Sequence, residues 1–228
     1  MQKQYPHPII AREGWPFLTG TLVASFVFFQ FDWTRWLGWV ALILFFFCLQ
    51  FFRDPARRLP VEADVMVSPV DGRVCKIQDA VDPITGKEAI MVSIFMNVFN
   101  VHSQKSPVSG VVEEIRYTPG LFLNADLDKA STKNERNAVQ VRLDDGRQMT
   151  FVQVAGLVAR RILCYAKVGD RLERGQRYGF IRFGSRVDVY MPKNSHILVA
   201  IGEKVTGVST PIARIVPEVD TEEKTATR

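Results

Sequence analysis

Two uninterrupted apolar runs dominate the first quarter of the chain. Residues 17–31 and 36–52 contain no charged side chain, and only the short polar segment DWTR separates them. Each run is slightly shorter than the ~20 apolar residues that a membrane-spanning helix needs. Two short runs with a tight polar break predict a helical hairpin, which either crosses the bilayer twice or dips into it and returns.

The residues that flank the two runs are basic. Lys3 and Arg12 precede the pair, and Arg53, Arg57 and Arg58 follow it. By the positive-inside rule we expect both ends of the hairpin to face the cytoplasm. A secretory signal peptide and a pair of buried core helices are the alternatives. The first lacks a small-residue cleavage site, and the second is disfavoured because the phenylalanine-rich run has no polar face.

From residue 64 onward the pattern changes to short runs rich in Val, Ile and Phe, separated by turn signals such as Asp145-Gly146 and the segment PITGK. Such runs at this spacing are typical of β-sandwiches and barrels. The predicted strands cover residues 65–67, 73–77, 90–95, 111–117, 139–143, 149–154, 178–183, 186–191, 197–201 and 211–216.

The expected fold is therefore mainly β, a barrel-sandwich-like domain with one or two short helices, preceded by the membrane hairpin. We place the hairpin at residues 1–58 and the β domain at residues 59–228. One helix is expected near residues 156–166. The long polar segment 118–137 is a candidate lid, because long loops in compact domains are often functional.

The composition of the chain limits the kinds of functional site that it can form. Hydrophobic residues make up 47% and charged residues 23% of the chain, as in ordinary globular proteins. Three widely spaced cysteines argue against a disulfide scaffold, and three histidines argue against a histidine-rich metal site. The sequence has no phosphate-binding glycine loop and no HExxH motif. The net charge of +5 fits a protein that meets an anionic surface.

A Gly184-Ser185 pair lies between two predicted strands. In a strained turn the serine hydroxyl can attack the preceding carbonyl carbon, so that an ester replaces the amide. Elimination then cuts the chain, and hydrolysis with loss of ammonia leaves a pyruvoyl group. This chemistry needs a base and oxyanion donors. Taken alone the pair is weak evidence, since most such pairs are plain turns.

The segment FGSRVDVYMP resembles the self-cleavage region of the short, bacterial-type phosphatidylserine decarboxylases. Further stretches agree with that family in the same order, and together they cover nearly all of residues 51–192. They are FFRDPAR, VSPVDGRV, MNVFNVHSQKSPVSG, YTPGLFLNADLDKASTKNERN and AGLVARRILCYAKVGDRLERGQRYGFIRFGS.

The resemblance assigns roles by position. Ser185 becomes the pyruvoyl residue that forms a Schiff base with the substrate, and Gly184 ends the larger chain. Asp71 matches an acidic residue that pairs with the catalytic histidine, and His102 matches a histidine of the family. Longer relatives carry a second histidine where this chain has Lys105, and their cleavage site reads Leu-Gly-Ser-Thr rather than Phe-Gly-Ser-Arg.

The implied function is self-processing into residues 1–184 and 185–228, followed by conversion of phosphatidylserine to phosphatidylethanolamine and carbon dioxide. The implied cofactor is the pyruvoyl group, without metal or pyridoxal phosphate. The implied partners are the membrane phospholipid and the two cleaved chains, with no nucleic acid; the oligomeric state stays open. We expect the inner membrane with the domain on its cytoplasmic face. Arg160, Arg161 and Lys105 are candidate substrate-binding residues.

Two other interpretations remain at this point. A pyruvoyl enzyme acting on a soluble amino acid would have no need of the hairpin. A membrane-anchored barrel-sandwich adaptor would explain VSPVDGRV and AKVGDRLERGQRYGFI, which resemble half-motifs of lipoyl- and biotinyl-type domains. The sequence lacks an obvious acceptor lysine at a hairpin tip, so we interpret this likeness as kinship of fold.

Overall fold

The computed structural model describes residues 9–122, 133–157, 161–182 and 184–216. The described chain begins with a helical hairpin, made of α1 (Trp15–Phe29) and α2 (Arg35–Phe51). Short 3-10 turns at Arg12–Gly14 and Asp32–Thr34 precede the two helices. The helical stretch Asp32–Phe51 is long and apolar enough to cross a membrane. The hairpin is therefore present as the sequence predicts, with one helix that can span.

Small residues let the two helices approach closely. Ser25 donates its hydroxyl proton to the Gly38 carbonyl at 3.0 Å, and a Cβ on Gly38 would lie 2.9 Å from the Phe29 ring. At the break, the Thr34 hydroxyl donates to the Phe28 carbonyl at 2.8 Å. Such contacts are typical of helices packed in lipid, where no hydrophobic effect drives association.

Fourteen strands follow among the described residues. They are β1 (Val65–Val67), β2 (Gly72–Val81), β3 (Glu88–Met96), β4 (Ser103–Lys105), β5 (Gly110–Thr118), β6 (Arg136–Arg142), β7 (Gln148–Ala155), β8 (Ile162–Cys164), β9 (Arg171–Leu172), β10 (Arg177–Ile181), β11 (Ser185–Pro192), β12 (His196–Ile197), β13 (Lys204–Val205) and β14 (Pro211–Arg214).

The strands form three antiparallel sheets. Eight strands form a sheet that curls into a half-barrel, in the order β13-β2-β3-β11-β7-β6-β5-β9. Two smaller sheets have the orders β1-β14-β12 and β4-β10-β8. The concave core is filled by alternate residues of these strands, among them Ile94, Val139, Phe151, Val187 and Val189. The expected mainly β class is confirmed.

One predicted element is wrong. The helix expected near residues 156–166 is a strand over Ile162–Cys164, and residues 158–160 lie outside the described part of the chain. The reason is tertiary: β8 pairs with β10, and the Leu163 carbonyl accepts a hydrogen bond from Gln153 Nε2 at 3.1 Å. Pairing with an open strand edge overrides the weak helical pattern.

The base of the hairpin packs directly on the β domain. Phe51 and Phe52, at the end of α2, form a buried cluster with Ala11, Cys48 and Phe180 of β10. The Ala11 amide donates to the Phe52 carbonyl at 2.8 Å, which ties the entry segment to the exit of α2. The hairpin is therefore joined to the sheet that contains β4 and β10.

Candidate active site

The Gly184-Ser185 junction lies where the chain enters β11, a central strand of the eight-stranded sheet. Gly184 has φ +69°, a backbone conformation that other residues adopt only with strain. Ser185 is fully buried, opposite Met96 of β3 and Ala155 of β7. Among the described residues its hydroxyl contacts only the Met96 sulfur, at 3.9 Å. Sulfur is a weak acceptor, so no strong hydrogen bond from the described part of the chain holds this hydroxyl.

His102 is the buried base candidate of the site. It immediately precedes β4, whose Ser103 pairs with Phe180 near the end of β10. The imidazole is fully buried, and its ring centroid lies 4.2 Å from that of Phe51. Nδ1 lies 3.0 Å from the Asn100 carbonyl, whereas Nε2 has no hydrogen-bond partner in the described part of the molecule.

These contacts fix the chemical state of His102. A carbonyl oxygen can only accept a hydrogen bond, so Nδ1 must carry the proton and Nε2 the lone pair. Burial, opposed by the bond to Asn100 and aided by the nearby positive charge of Arg53, lowers the pKa of His102 to about 4. The imidazole is therefore neutral at pH 7, and Nε2 is a proton acceptor.

Asp71 lies near the site but does not bond to His102. Its carboxylate accepts a bond from Arg57 Nη2 at 2.7 Å and another from the Gly207 amide at 2.8 Å. Asp71, Arg57 and Lys105 line one small cavity of about 10 Å³. Within the described part of the chain, the Asp71 carboxylate therefore pairs with Arg57 and lies near Lys105.

Lys105 is buried in an ion pair. Its ammonium lies 2.7 Å from Asp54 Oδ1 and also bonds to the Ser103 hydroxyl, which donates to the same carboxylate oxygen at 2.7 Å. Burial lowers the pKa of Lys105, and the charge of Asp54 opposes that shift. Lys105 is only 4% exposed, and it lines the small cavity together with Asp71 and Arg57.

The remaining candidate residues are more peripheral. Arg161 is exposed just before β8, and Arg160 lies outside the described residues. Residues 123–132 of the candidate lid also lie outside the described part of the chain. A cleft of about 520 Å³ lies beside the site and is lined by residues that include Asp71, Arg73 and Asn100. No group of three or more potential metal-ligating side chains occurs in the described ranges.

Sequence reasoning missed three residues that build this site: Phe51, Asp54 and Arg57. The motif FFRDPAR contains all three, but its apolar residues were assigned to the membrane helix and its arginines to the lipid-facing flank. The informative signal was the acidic Asp54 directly after a membrane helix, where a charge needs a buried partner. In the structure Asp54 is fully buried, and Arg57 forms an ion pair with Asp71.

A buried serine after a left-handed glycine, a neutral buried histidine and an adjoining cleft are features of an enzyme site. Residues 44–213 match the family model described as phosphatidylserine decarboxylase. A phosphatidylserine decarboxylase proenzyme of Ralstonia nicotianae is 54% identical over 94% of this chain and 100% of its own length. A proenzyme of the same name from Neisseria meningitidis serogroup B is 57% identical over 94% of this chain and 80% of its own.

The chain belongs to the phosphatidylserine decarboxylase family, whose members are carboxy-lyases. The resemblance found in the sequence is thereby confirmed. The adaptor and the decarboxylase of a soluble amino acid are not favoured. Membrane association is consistent with both the family and the apolar helix Asp32–Phe51.

Proposed function

We propose that this chain decarboxylates phosphatidylserine to phosphatidylethanolamine with a pyruvoyl group that it makes from its own Ser185. The observation that carries the proposal is the position of Ser185, which is fully buried at the start of β11 and directly follows a left-handed glycine. Among the described residues its hydroxyl bonds only to a sulfur atom. The buried Ser93 of β3 also lacks a described hydroxyl partner, so it is the left-handed glycine before Ser185 that sets the two serines apart.

The first reaction is self-cleavage at Ser185. Its Oγ attacks the carbonyl carbon of Gly184, the C–N bond breaks, and an ester links the two residues while the amine gains a proton. Removal of the Ser185 Cα proton expels the Gly184 carboxylate and leaves a dehydroalanine. Its enamine tautomerises to an imine, and water replaces the nitrogen, which leaves as ammonia.

His102 supplies the base for proton transfer in this scheme. Its Nε2 lone pair is free among the described residues, and the apolar wall of Phe51 keeps the imidazole neutral. A general base needs a geometric path and a free lone pair before its pKa matters. Once protonated at Nε2 in this apolar pocket, His102 is a strong acid that readily returns the proton to substrate.

The pyruvoyl ketone supplies a carbonyl that condenses with the serine amine and withdraws electrons as carbon dioxide leaves. The protein residues do the rest. They exclude water, hold the histidine ring, and bind the headgroup. Asp71 and Arg57 form one wall of the small cavity next to β4, where Asp71 holds the Arg57 side chain in place.

The order of the elements supports two parts of the chain with different roles. We assign residues 1–58 to the membrane anchor and residues 59–228 to the decarboxylase domain, which self-cleavage would divide into chains 1–184 and 185–228. The basic flank supports a cytoplasmic position of the domain by the positive-inside rule. Arg161, exposed beside β8, and Arg160 are candidates for contact with the lipid phosphate.

The experiment compares Ser185→Ala with Ser93→Ala. Ser93 is a matched control, since it is also fully buried and lies on the neighbouring strand β3 of the same sheet. We expect Ser185→Ala to remain one chain and to release no carbon dioxide from phosphatidylserine. Ser93→Ala should be cut in two and active. Decarboxylation by uncleaved Ser185→Ala would refute the proposal.

A further inference from the structure

The Ser185 end of the large sheet carries exposed apolar side chains that the active site does not use. Ser185 begins β11 and lies opposite the last residues of β3 and β7, Met96 and Ala155. Because these neighbours run antiparallel to β11, the loops that follow them emerge at the level of Ser185. One loop presents Phe99, 64% exposed, and the other presents Leu157, 68% exposed.

The Phe99 loop is rigidly held, so its exposure is not a consequence of disorder in the loop. The Phe99 amide donates to Asn97 Oδ1 at 2.9 Å, and the Asn97 amide donates to Asn100 Oδ1 at 2.9 Å. The Asn100 amide donates to the Asn97 carbonyl at 3.0 Å. These bonds define the course of the loop backbone, from which the Phe99 side chain is 64% exposed.

The same loop is attached to the end of the membrane helix. The Phe99 carbonyl accepts a hydrogen bond from Gln50 Nε2 at 2.9 Å and a second from Arg53 Nη2 at 2.9 Å. Gln50 lies in the last turn of α2, and Arg53 is the first charged residue after it. Phe99 is therefore fixed at the level where the apolar helix ends and the basic flank begins.

That position matches the interface of a bilayer. Aromatic side chains favour the headgroup level, and basic groups beside them are attracted to anionic lipid. Arg53 is adjacent through its bond to Phe99, and Arg161 is exposed just before β8, which pairs with β10 on the side opposite to β4. A single exposed apolar side chain is common on protein surfaces, but at the level where the membrane helix ends the lipid interface can cover Phe99 and bury its ring.

We propose that Phe99 and Leu157 form a lipid-contacting rim, which inserts into the bilayer interface and presents the Ser185 site to phospholipid headgroups. The rim is separate from the hairpin anchor. It brings the Ser185 site to phospholipid that is already in the membrane. It rests on the proposed function only in that the substrate is a bilayer lipid. The loop that carries Phe99 also contains Asn100, the hydrogen-bond partner of His102.

The test uses the full-length enzyme reconstituted in phosphatidylcholine vesicles that contain phosphatidylserine. The same enzyme is assayed in parallel with dihexanoyl phosphatidylserine dissolved as monomers. The variant Phe99→Asp places a charge in the proposed interface. Val81→Asp is the control, because Val81 is 62% exposed at the far end of β2. Phe99→Leu tests rescue by an apolar side chain.

We expect the ratio of vesicle activity to monomer activity to fall about tenfold in Phe99→Asp, a change that corresponds to ~1.4 kcal/mol and is close to the lower end of the gain from burying one large apolar side chain. The ratio should stay at the wild-type value in Val81→Asp and within about twofold of it in Phe99→Leu. An unchanged ratio in Phe99→Asp would overturn the inference, and so would an equal loss on both substrates, which would place Phe99 with His102 instead.

Failure of the proposed function would look different. In that case the wild-type protein would release carbon dioxide from neither substrate. A wild type that is cleaved and active on both, together with an unchanged ratio in Phe99→Asp, would contradict the rim alone.

Discussion

The two ends of the large sheet satisfy their polar groups in opposite ways. At the end far from Ser185, the turn between β2 and β3 is saturated: Asp82 Oδ1 accepts bonds from the Ile84 and Thr85 amides at 2.8 and 2.9 Å. Gly86 completes it with φ +69°. At the site end and within the described ranges, His102 Nε2 lacks a hydrogen-bond partner, and the Ser185 hydroxyl bonds only to the Met96 sulfur.

This contrast separates stability from chemistry. The far turn, between β2 and β3, has the residues that a tight turn favours, with the Asp82 side chain bonded to amides of the same turn. These residues stabilise the hairpin that they close. The site end departs from this pattern by keeping the Ser185 hydroxyl and a neutral histidine in apolar surroundings. Proteins commonly accept such departures where they perform a reaction. The packed base of the hairpin buries apolar side chains next to this end, and the Asp54–Lys105 ion pair is buried beside it.

The largest effect is expected from Asp54→Ala. The change leaves the Lys105 ammonium buried without its carboxylate, and breaking a buried pair in this way destabilises by ~3–5 kcal/mol. Denaturant unfolding should show that loss in the free energy of unfolding. Asp145→Ala is the control, because Asp145 pairs with Arg147 on the surface, and it should lose less than ~1 kcal/mol. Equal losses in the two variants would show that the buried pair has no special role.

Next in size is the dependence of stability on pH. The folded pKa of His102, about 4, lies below the ordinary value of 6.5. The unfolded chain therefore binds a proton before the folded protein does, so stability falls as pH drops from about 6.5 to about 4 and is unaffected above that window. The full shift corresponds to about 3 kcal/mol. His102→Gln should lack this part of the pH dependence of unfolding, and a variant that keeps the same slope would contradict the buried neutral state.

A smaller effect is expected from Phe51→Ala, which opens the wall over His102. Water in the pocket would raise the pKa of His102, so the acid limb of the rate-against-pH profile should move upward by about one pH unit. Phe46→Ala is the matched control on the same helix, because Phe46 is 57% exposed. If both variants keep the wild-type profile, Phe51 does not set the state of the histidine.

The smallest effect belongs to the far turn. Asp82→Ala removes a side chain that accepts two backbone amide bonds, a role like that of a helix N-cap, and should lower the free energy of unfolding by ~1 kcal/mol. Decarboxylase activity per folded molecule should not change. A large loss of activity would mean that the two ends of the sheet are coupled.

The sequence predicts the far end better than the site end, and the reason is physical. Alternating runs locate β2, β3, β6, β7 and β11, and Asp145-Gly146 marks the β6–β7 turn, where Gly146 has φ +86°. In contrast β4 was missed, because Ser103, Gln104 and Lys105 are polar yet fully buried. A pattern based on apolar residues cannot find a strand whose buried side chains are polar.

The sequence predicts only some residues of the candidate site, because others, such as Asp54, are polar groups buried by contacts that are distant in the sequence. Ser185, Gly184 and His102 came from a resemblance in sequence order, and the structure brings β4 and the chain before β11 to the same region through β10. The ion pair of Lys105 with Asp54 joins residues 51 positions apart, so spacing along the chain could not reveal it. Contacts of this range are fixed by the docking of the hairpin.

The most direct measurement is the intact mass of the purified, denatured protein before and after treatment with hydroxylamine. The account predicts two chains divided between residues 184 and 185. The smaller chain should be lighter by one ammonia than its sequence requires, and hydroxylamine should add to it as an oxime. A single chain of full mass in an active preparation, or a small chain with a free amino terminus, would contradict the account.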